Sequence, residues 1–202
     1  SKKRFNNLYL VGGTWRSLFK LHLFQNNHPV HIIHQYSIDN NVLSKFVEKI
    51  SSFNKSKLKT VEYIAKSRTP YLPYSCIILD EIMRATNPKN IICSISGLRE
   101  GSLSIDYFKD VKDSEIFHKP LEHVPKKRGD LASNYKKYYD FIQPVFEGNE
   151  YFNKKLLYLS CVLSHMDWGL GAFQKAELVF QETINTPLLR LTHKERIQLA
   201  LS

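Results

Sequence analysis

The feature that most constrains the fold is an apolar run that ends in two glycines and leads directly into a helical pattern. Residues 8–11 (Leu-Tyr-Leu-Val) are β-prone, and Gly12 and Gly13 follow them. Apolar side chains then recur with helical spacing between Trp15 and His22. This order predicts a strand, a tight turn and a helix.

The rest of the first half continues the alternation of strands and helices. Asp39 can cap a helix whose apolar residues lie between 42 and 50, and a helix-length apolar stretch at 74–85 is stopped by Asn87-Pro88. This alternation predicts an α/β layer. We predict further strands at 30–34 and 91–95, a continuation as another strand at 103–108, and a polar loop or short turn at 55–60.

The second half has a different character. Between residues 109 and 130, charges of both signs, two prolines and the basic run 126–128 replace apolar periodicity, which predicts a linker. Helical segments follow at 131–146, 153–166, 173–184 and from Thr192 to the end, where Thr192 and Glu195 form a capping-box pattern. The predicted domains are an α/β domain at 1–108 and an all-α domain at 131–202.

Composition excludes several classes of protein. The chain has 202 residues, 43% of them hydrophobic, which is enough for one good core or two small ones. No window approaches the roughly 18 apolar residues of a membrane span, so a soluble cytoplasmic protein without a membrane partner is expected. The three cysteines lie far apart, so buried free thiols are favoured over a disulfide or a metal site.

Positive charge is concentrated in one half. Residues 1–101 hold 15 Lys and Arg against 6 Asp and Glu, whereas residues 102–202 hold 14 against 13. A polyanionic partner for the first half would explain the excess of +9. Lysines used as ordinary solvated surface residues explain it equally well.

Two segments suggest phosphate chemistry. Gly12-Gly13-Thr14 would let backbone N–H groups at a helix start approach a phosphate, although a plain tight turn uses glycines too. Neither a Walker A loop nor a Rossmann fingerprint is present. Arg99 and Glu100, within the turn 96–101, offer either an Arg fork for a phosphate or an ion pair that rigidifies the turn.

A metal site and a nucleophile are poorly supported. His165 and Asp167 resemble the His-Asp couple of metal phosphohydrolases, but such sites need several His and Asp residues, and a structural histidine is favoured. No nucleophile with a base can be assembled, because the Ser and His residues are scattered and no diagnostic elbow is present. We therefore predict no catalytic residue and no metal ligand in this chain.

Several segments, taken in order, resemble the exopolyphosphatase / guanosine pentaphosphate phosphohydrolase family. They are Val-Gly-Gly-Thr-Trp-Arg at 11–16, His34 with Tyr36, Ser67-Arg68, Tyr-Leu-Pro-Tyr at 71–74, and 96–101. Residues 163–168 also resemble the degenerate His-Asp-like helical domain of alphaproteobacterial relatives. The resemblance spans nearly the whole chain.

The resemblance implies part of an actin-like (ribonuclease H-like) second α/β lobe followed by the helical His-Asp-like domain. Family catalysis uses two loops of the Asp-x-Gly-Ser/Thr and Asp-x-Gly-Gly-Gly-Ser kinds, a carboxylate that activates water, and magnesium. Neither loop occurs in the 202 residues. We therefore expect the C-terminal part of a phosphoanhydride hydrolase, with its catalytic lobe upstream of Ser1. Mg²⁺ is expected for the complete enzyme but not bound to this chain.

The same resemblance assigns substrate contacts. Polyphosphate and guanosine pentaphosphate stay open as the substrate, nucleic acid is not expected, and a homodimer is compatible because relatives often dimerise. A non-catalytic polyanion- or nucleic-acid-binding module is the alternative function. The substrate-binding residues implied are Gly12, Gly13, Thr14, Arg16, Arg99 and Glu100.

Overall fold

A computed structural model describes residues 5–59, 61–110, 134–148, 153–164, 172–186 and 191–202. The chain forms two compact units, Ser1–Ser104 and Ile105–Ser202. No helix in the described ranges combines the length and the apolar character needed to cross a bilayer.

The first unit is built on a sheet whose described strands are β1 (Asn7–Val11), β2 (Ser37–Asp39) and β3 (Asn90–Ser94), in the order β1-β3-β2. Strands β1 and β3 are parallel, with Val11 opposite Ser94. Strand β2 is antiparallel to β3. Because β1 and β3 run the same way, the turns that follow them leave from the same edge of the sheet.

Two helices of the first unit begin or end where the sequence predicts a cap or a stop. Asp39 caps the second helix by accepting a hydrogen bond from the Asn41 N–H at 2.8 Å. The fourth helix ends at Asn87, which adopts a left-handed φ of 43° before Pro88. The helices are α1 (Gly13–Gln25), α2 (Asn40–Ser51), α3 (Lys55–Lys59), α4 (Leu72–Thr86), which a 3₁₀ turn at Thr69–Tyr71 precedes, and α5 (Leu98–Tyr107).

One face of the sheet packs against α1, α2 and α4. Leu10 pairs with Cys93, and Ile38 with Ile91, so these four side chains share the buried face. Each buried aliphatic side chain contributes about 1.5–3 kcal/mol relative to an exposed one. The helical contribution to this core comprises Leu18, Phe19, Leu21, Leu43, Phe46, Val47, Ile50, Leu72, Cys76, Leu79 and Met83.

The strand predicted at 30–34 is wrong. The chain curls there instead, with His28 Nδ1 2.7 Å from the Val30 carbonyl oxygen and Gln35 at a φ of 58°. The residues that pair with β3 as strand β2 are Ser37–Asp39, further along the chain. The β-prone side chains at 30–34 were not sufficient to form a strand, because a strand also needs a neighbouring strand with which to pair.

The continuation strand predicted at 103–108 is also wrong, because these residues fall largely within α5. The helix starts where the Gly97 N–H donates to Glu100 Oε2 at 2.7 Å, which satisfies one of its orphan donors. A helix start signal therefore outweighs the alternation of apolar residues after it. The polar segment 55–60 likewise contains a one-turn helix, α3, at whose start Asn54 Oδ1 accepts from the Lys57 N–H at 2.9 Å.

The secondary-structure elements described in the second unit are all helices, as predicted. Its core comprises Leu159, Val162, Leu163, Leu191 and Leu199. The predicted linker at 109–130 falls almost entirely outside the described residues, as do His165 and Asp167. The helices that follow α5 are α6 (Tyr135–Phe146), α7 (Lys154–Ser164), α8 (Ala172–Asn185) and α9 (His193–Leu201).

Candidate phosphate-binding site

The site begins at the glycine turn between β1 and α1. Gly12 has φ 137° and ψ 159°, a region that essentially only glycine occupies. Its carbonyl accepts the first helical hydrogen bond, from the Arg16 N–H at 3.1 Å. Among the described residues no side chain caps α1, and the first turn of this helix carries no acidic residue. The first N–H groups of a helix lack helical acceptors, so this end of α1 suits an anion.

Arg68 packs directly on the glycine turn, although 55 positions separate it from Gly13. Its Nη1 donates to the Gly13 carbonyl oxygen at 3.2 Å. A Cβ atom on Gly13 would lie only 2.8 Å from Arg68 Cζ and Nη2. The absence of a side chain at Gly13 therefore allows an exposed guanidinium to rest beside the start of the helix.

Arg16 lies in the first turn of α1 and is half-buried. Its Nε is shielded from solvent and has no hydrogen-bond partner within the part of the chain that the structure describes. Its positive charge acts on the Cys93 thiol of β3 and on the Glu100 carboxylate of α5. Arg16 thus places, in the first turn of α1, a buried donor without a partner among the described residues.

The second turn, at residues 96–100, lies beside the first. A Cβ atom on Gly97 would be 3.9 Å from Val11 Cγ1, at the end of β1. Glu100 accepts from the Gly97 N–H, and backbone N–H groups of Glu100 and Gly97, followed by the charges of Arg99 and Arg16, lower the pKa of its carboxyl group. Glu100 stays ionised and orders the turn, while Arg99 is exposed on the first turn of α5.

The end of β3 is held by short polar contacts. Ser94 Oγ donates to the Ser96 carbonyl at 3.0 Å, and the Ile95 N–H donates to His34 Nδ1 at 3.3 Å. These bonds fix the path of the chain from the strand into the second turn.

The structure thus brings the predicted residues Gly12, Gly13, Thr14, Arg16 and Glu100 to one edge of the sheet, with Arg99 exposed on the same turn as Glu100. Thr14 is half-buried as the second residue of α1. Sequence reasoning used Ser67-Arg68 as a landmark of the resemblance but did not place Arg68 in the site. A contact between residues so far apart in sequence has no local signal.

Comparison with known proteins decides the family. A profile of the Ppx/GppA phosphatase family matches residues 3–107, slightly more than half of the chain. The chain belongs to the Ppx/GppA phosphatase family. The matched segment includes both turns and every strand described above. No curated protein sequence matches the chain significantly.

Membership of the Ppx/GppA family raises the question of magnesium, which needs several oxygen ligands. Across the described ranges, no three His, Cys, Asp or Glu side chains converge on a point where a metal ion could bind. Glu100, the carboxylate beside the glycine turn, already accepts from Gly97.

Proposed function

We propose that this Ppx/GppA family member holds the phosphates of inorganic polyphosphate or guanosine pentaphosphate at the glycine turn, as the substrate-binding part of a phosphoanhydride hydrolase. The observation that carries the proposal is the Arg68 guanidinium lying against Gly13 at the uncapped start of α1. A helix start alone is weak support, but an Arg fork beside it supplies charge-assisted donors.

The arrangement of cations suits a ligand with several phosphates in a row. Arg16, Arg68 and Arg99 come from three different segments around the two turns, and Glu100 is the acidic residue among them. Because Glu100 is held by Gly97, its role in the proposal is to order the turn rather than to meet an anion. Backbone N–H groups and arginines would bind a terminal phosphate without covalent chemistry.

Hydrolysis requires more than this site offers. Phosphoryl transfer to water depends on a group that positions the water and on charge stabilisation at the transferring phosphoryl group. The 202 residues contain neither the Asp-x-Gly-Ser/Thr loop nor the Asp-x-Gly-Gly-Gly-Ser loop of the family. We therefore expect the chain alone to bind polyphosphate and to release no phosphate from it in the presence of magnesium.

A substitution at Arg68 tests the binding site. Arg68→Ala is expected to weaken binding of polyphosphate by about tenfold to a hundredfold, since a hydrogen bond to a charged group contributes about 1.5–3 kcal/mol. The matched control is Arg84→Ala, which removes the same charge. Arg84 pairs with Asp80 and lies roughly 18 Å along α4 from the start of that helix. Calorimetric titration should show less than a twofold effect for the control.

Two results would count against the proposal. Equal losses in the Arg68 and Arg84 variants would mean that net charge, and not the glycine turn, binds the polyanion. Phosphate release by the chain alone, at rates near those of complete relatives, would show that the chemistry does not need the absent loops.

A polyanion- or nucleic-acid-binding module is the second candidate, favoured by the charge of +9 on residues 1–101. A competition experiment distinguishes this function from the binding of polyphosphate at the glycine turn. Polyphosphate should displace a bound RNA readily if both occupy a phosphate groove, and poorly if aromatic residues stack on the bases.

A further inference from the structure

A second pocket lies at the opposite end of α1 from the glycine turn. It has a volume of about 370 Å³, within the range of small-molecule sites, and is formed by the ends of α1 and α2 together with Lys57 and residues 61–63. Phe53 and Val61 in its lining pack against the core of the first unit, so the pocket has an apolar floor. Phe24 is about 16 Å along α1 from Gly13, which makes the two sites separate.

Phe24 and Tyr63, which line this pocket, belong to a stack of three rings. The rings of Phe24 and Tyr63 are parallel within 7°, with centroids 3.7 Å apart. The His31 ring lies 4.1 Å from Phe24 at an angle of 32°. Two rings this close and this nearly parallel to Phe24 must lie on its opposite faces, so Tyr63 ends the stack. Tyr63 is 54% exposed and can receive another planar ring.

The backbone at Tyr63 is in an unusual conformation. Its φ is 68°, in the left-handed region that bulky residues rarely adopt. Strained positions of this kind are concentrated at ligand clamps and active sites. This backbone conformation accompanies the stacking of the Tyr63 ring on Phe24 in the pocket lining.

The charged groups of the pocket favour an anion. Lys49 Nζ donates to Gln25 Oε1 at 3.0 Å, and Lys57 Nζ lies 5.0 Å from the centroid of the Phe53 ring. Glu62 is the acidic residue of the lining. Two ammonium groups and one carboxylate give the pocket a net positive charge beside an open aromatic face.

We propose that this pocket binds a nucleotide, with the nucleobase stacked on Tyr63 and the phosphate held by Lys49 and Lys57. A planar aromatic ligand matches the end of the stack, and an attached phosphate matches the lysines. The volume suits a mononucleotide. This site goes beyond the proposed function, because it uses none of the residues of the glycine turn.

The first test compares the affinity of the full chain for a nucleotide with its affinity for two fragments of that nucleotide, the ribose phosphate and the nucleoside. Guanosine 5′-monophosphate is expected to bind roughly fivefold to a hundredfold more tightly than ribose 5-phosphate, the range that stacking of one base supplies. It should also bind more tightly than guanosine, which lacks the phosphate. Equal affinity for the nucleotide and ribose 5-phosphate, or no calorimetric binding at millimolar concentration, overturns the proposal.

Variants locate the ligand. Tyr63→Ala should abolish the advantage of the nucleotide over ribose 5-phosphate, whereas Tyr63→Phe, which keeps the ring, should retain it. Tyr71→Ala, which removes another exposed tyrosine of the same unit, should have no effect. An unchanged affinity in Tyr63→Ala, or an equal loss in Tyr71→Ala, contradicts the stacking.

The lysines are tested in the same way, and independently of whether Tyr63→Ala folds. Lys57→Ala and Lys49→Ala should each weaken nucleotide binding several-fold and reduce its salt dependence. Lys45→Ala, an exposed lysine of α2 outside the pocket lining, is the control. An equal effect of all three variants would show that binding reflects net charge only, and would overturn the site.

The phosphate site at the glycine turn and the nucleotide pocket can be tested independently, because each has its own variant. Arg68→Ala should leave nucleotide binding unchanged, and Tyr63→Ala should leave polyphosphate binding unchanged. If Arg68→Ala removes both activities, there is one anion site at the glycine turn and the pocket is not a nucleotide site.

Discussion

At the scale of single residues, Gly12 tests whether the turn needs glycine. Gly12→Ala is expected to destabilise the first unit by about 1–3 kcal/mol, because its φ of 137° is one that side chains with a Cβ avoid. Gly101→Ala is the matched control, since a Cβ there meets nothing within 4 Å and the position is helical. The control should be neutral or stabilising by up to about 1 kcal/mol.

Urea unfolding can follow the first unit specifically. The chain has two tryptophans, so a Trp168→Phe background leaves Trp15 fluorescence to report on α1. Equal stabilities of the Gly12 and Gly101 variants would show that the turn relaxes to an ordinary conformation.

His22 predicts how stability depends on pH. Burial, and secondarily the charge of His28, lower the pKa of His22, whose Nδ1 lies 3.2 Å from the Tyr36 hydroxyl oxygen. The unfolded histidine, with a pKa of about 6.5, therefore takes up a proton that the folded one does not. Neutral His22 therefore contributes its full stabilisation above about pH 7. This contribution is lost as the pH falls from there towards the pKa of His22 in the folded state.

The variant His22→Gln should flatten this dependence. One proton accounts for a slope of up to about 1.4 kcal/mol per pH unit, and the variant lacks it. Urea unfolding at several pH values between 5 and 7.5 measures the difference in slope. Parallel profiles for the two proteins would mean that His22 titrates alike in both states.

At the scale of elements, α9 depends on its capping box. The Glu195 N–H donates to Thr192 Oγ1 at 3.2 Å, and the Thr192 N–H donates to Glu195 Oε2 at 2.8 Å. Lys155 of α7 lies 3.5 Å from the same carboxylate, so the cap also links two helices. Burial alone would raise the pKa of Glu195, but the hydrogen bonds from Thr192 and the charge of Lys155 lower it overall.

Removing the cap should therefore destabilise the second unit. Thr192→Ala is expected to cost about 1 kcal/mol, while Thr192→Ser, which keeps the hydroxyl, should cost little. Thermal unfolding followed by circular dichroism compares the two. A similar melting temperature for the alanine and serine variants would contradict a role for the cap.

Elements with strong local signals could be predicted from the sequence. Asp39, Asn87-Pro88 and Thr192 mark helix boundaries that the structure confirms. The strand at 30–34 and the continuation at 103–108 failed, because pairing partners and the Gly97–Glu100 bond decided those segments. Arg68 could not be placed in the site, since its contact with Gly13 depends on how the chain folds back.

At the scale of the whole molecule, the positive charge and the sheet topology both favour an anion at the same edge of the sheet. The parallel pairing of β1 and β3 brings both turns to one edge, and the basic half of the chain contains that edge. Polyphosphate binding should therefore weaken steeply with salt, as expected when cations release the counterions of a polyanion.

The most direct measurement is a titration of the isotopically labelled full chain with linear tripolyphosphate, followed by backbone amide chemical shifts. The account predicts that the amides of Gly12, Gly13, Thr14 and Gly97 shift first and saturate together. Largest shifts in the second unit, or saturation that leaves the glycine turn unperturbed, would contradict it.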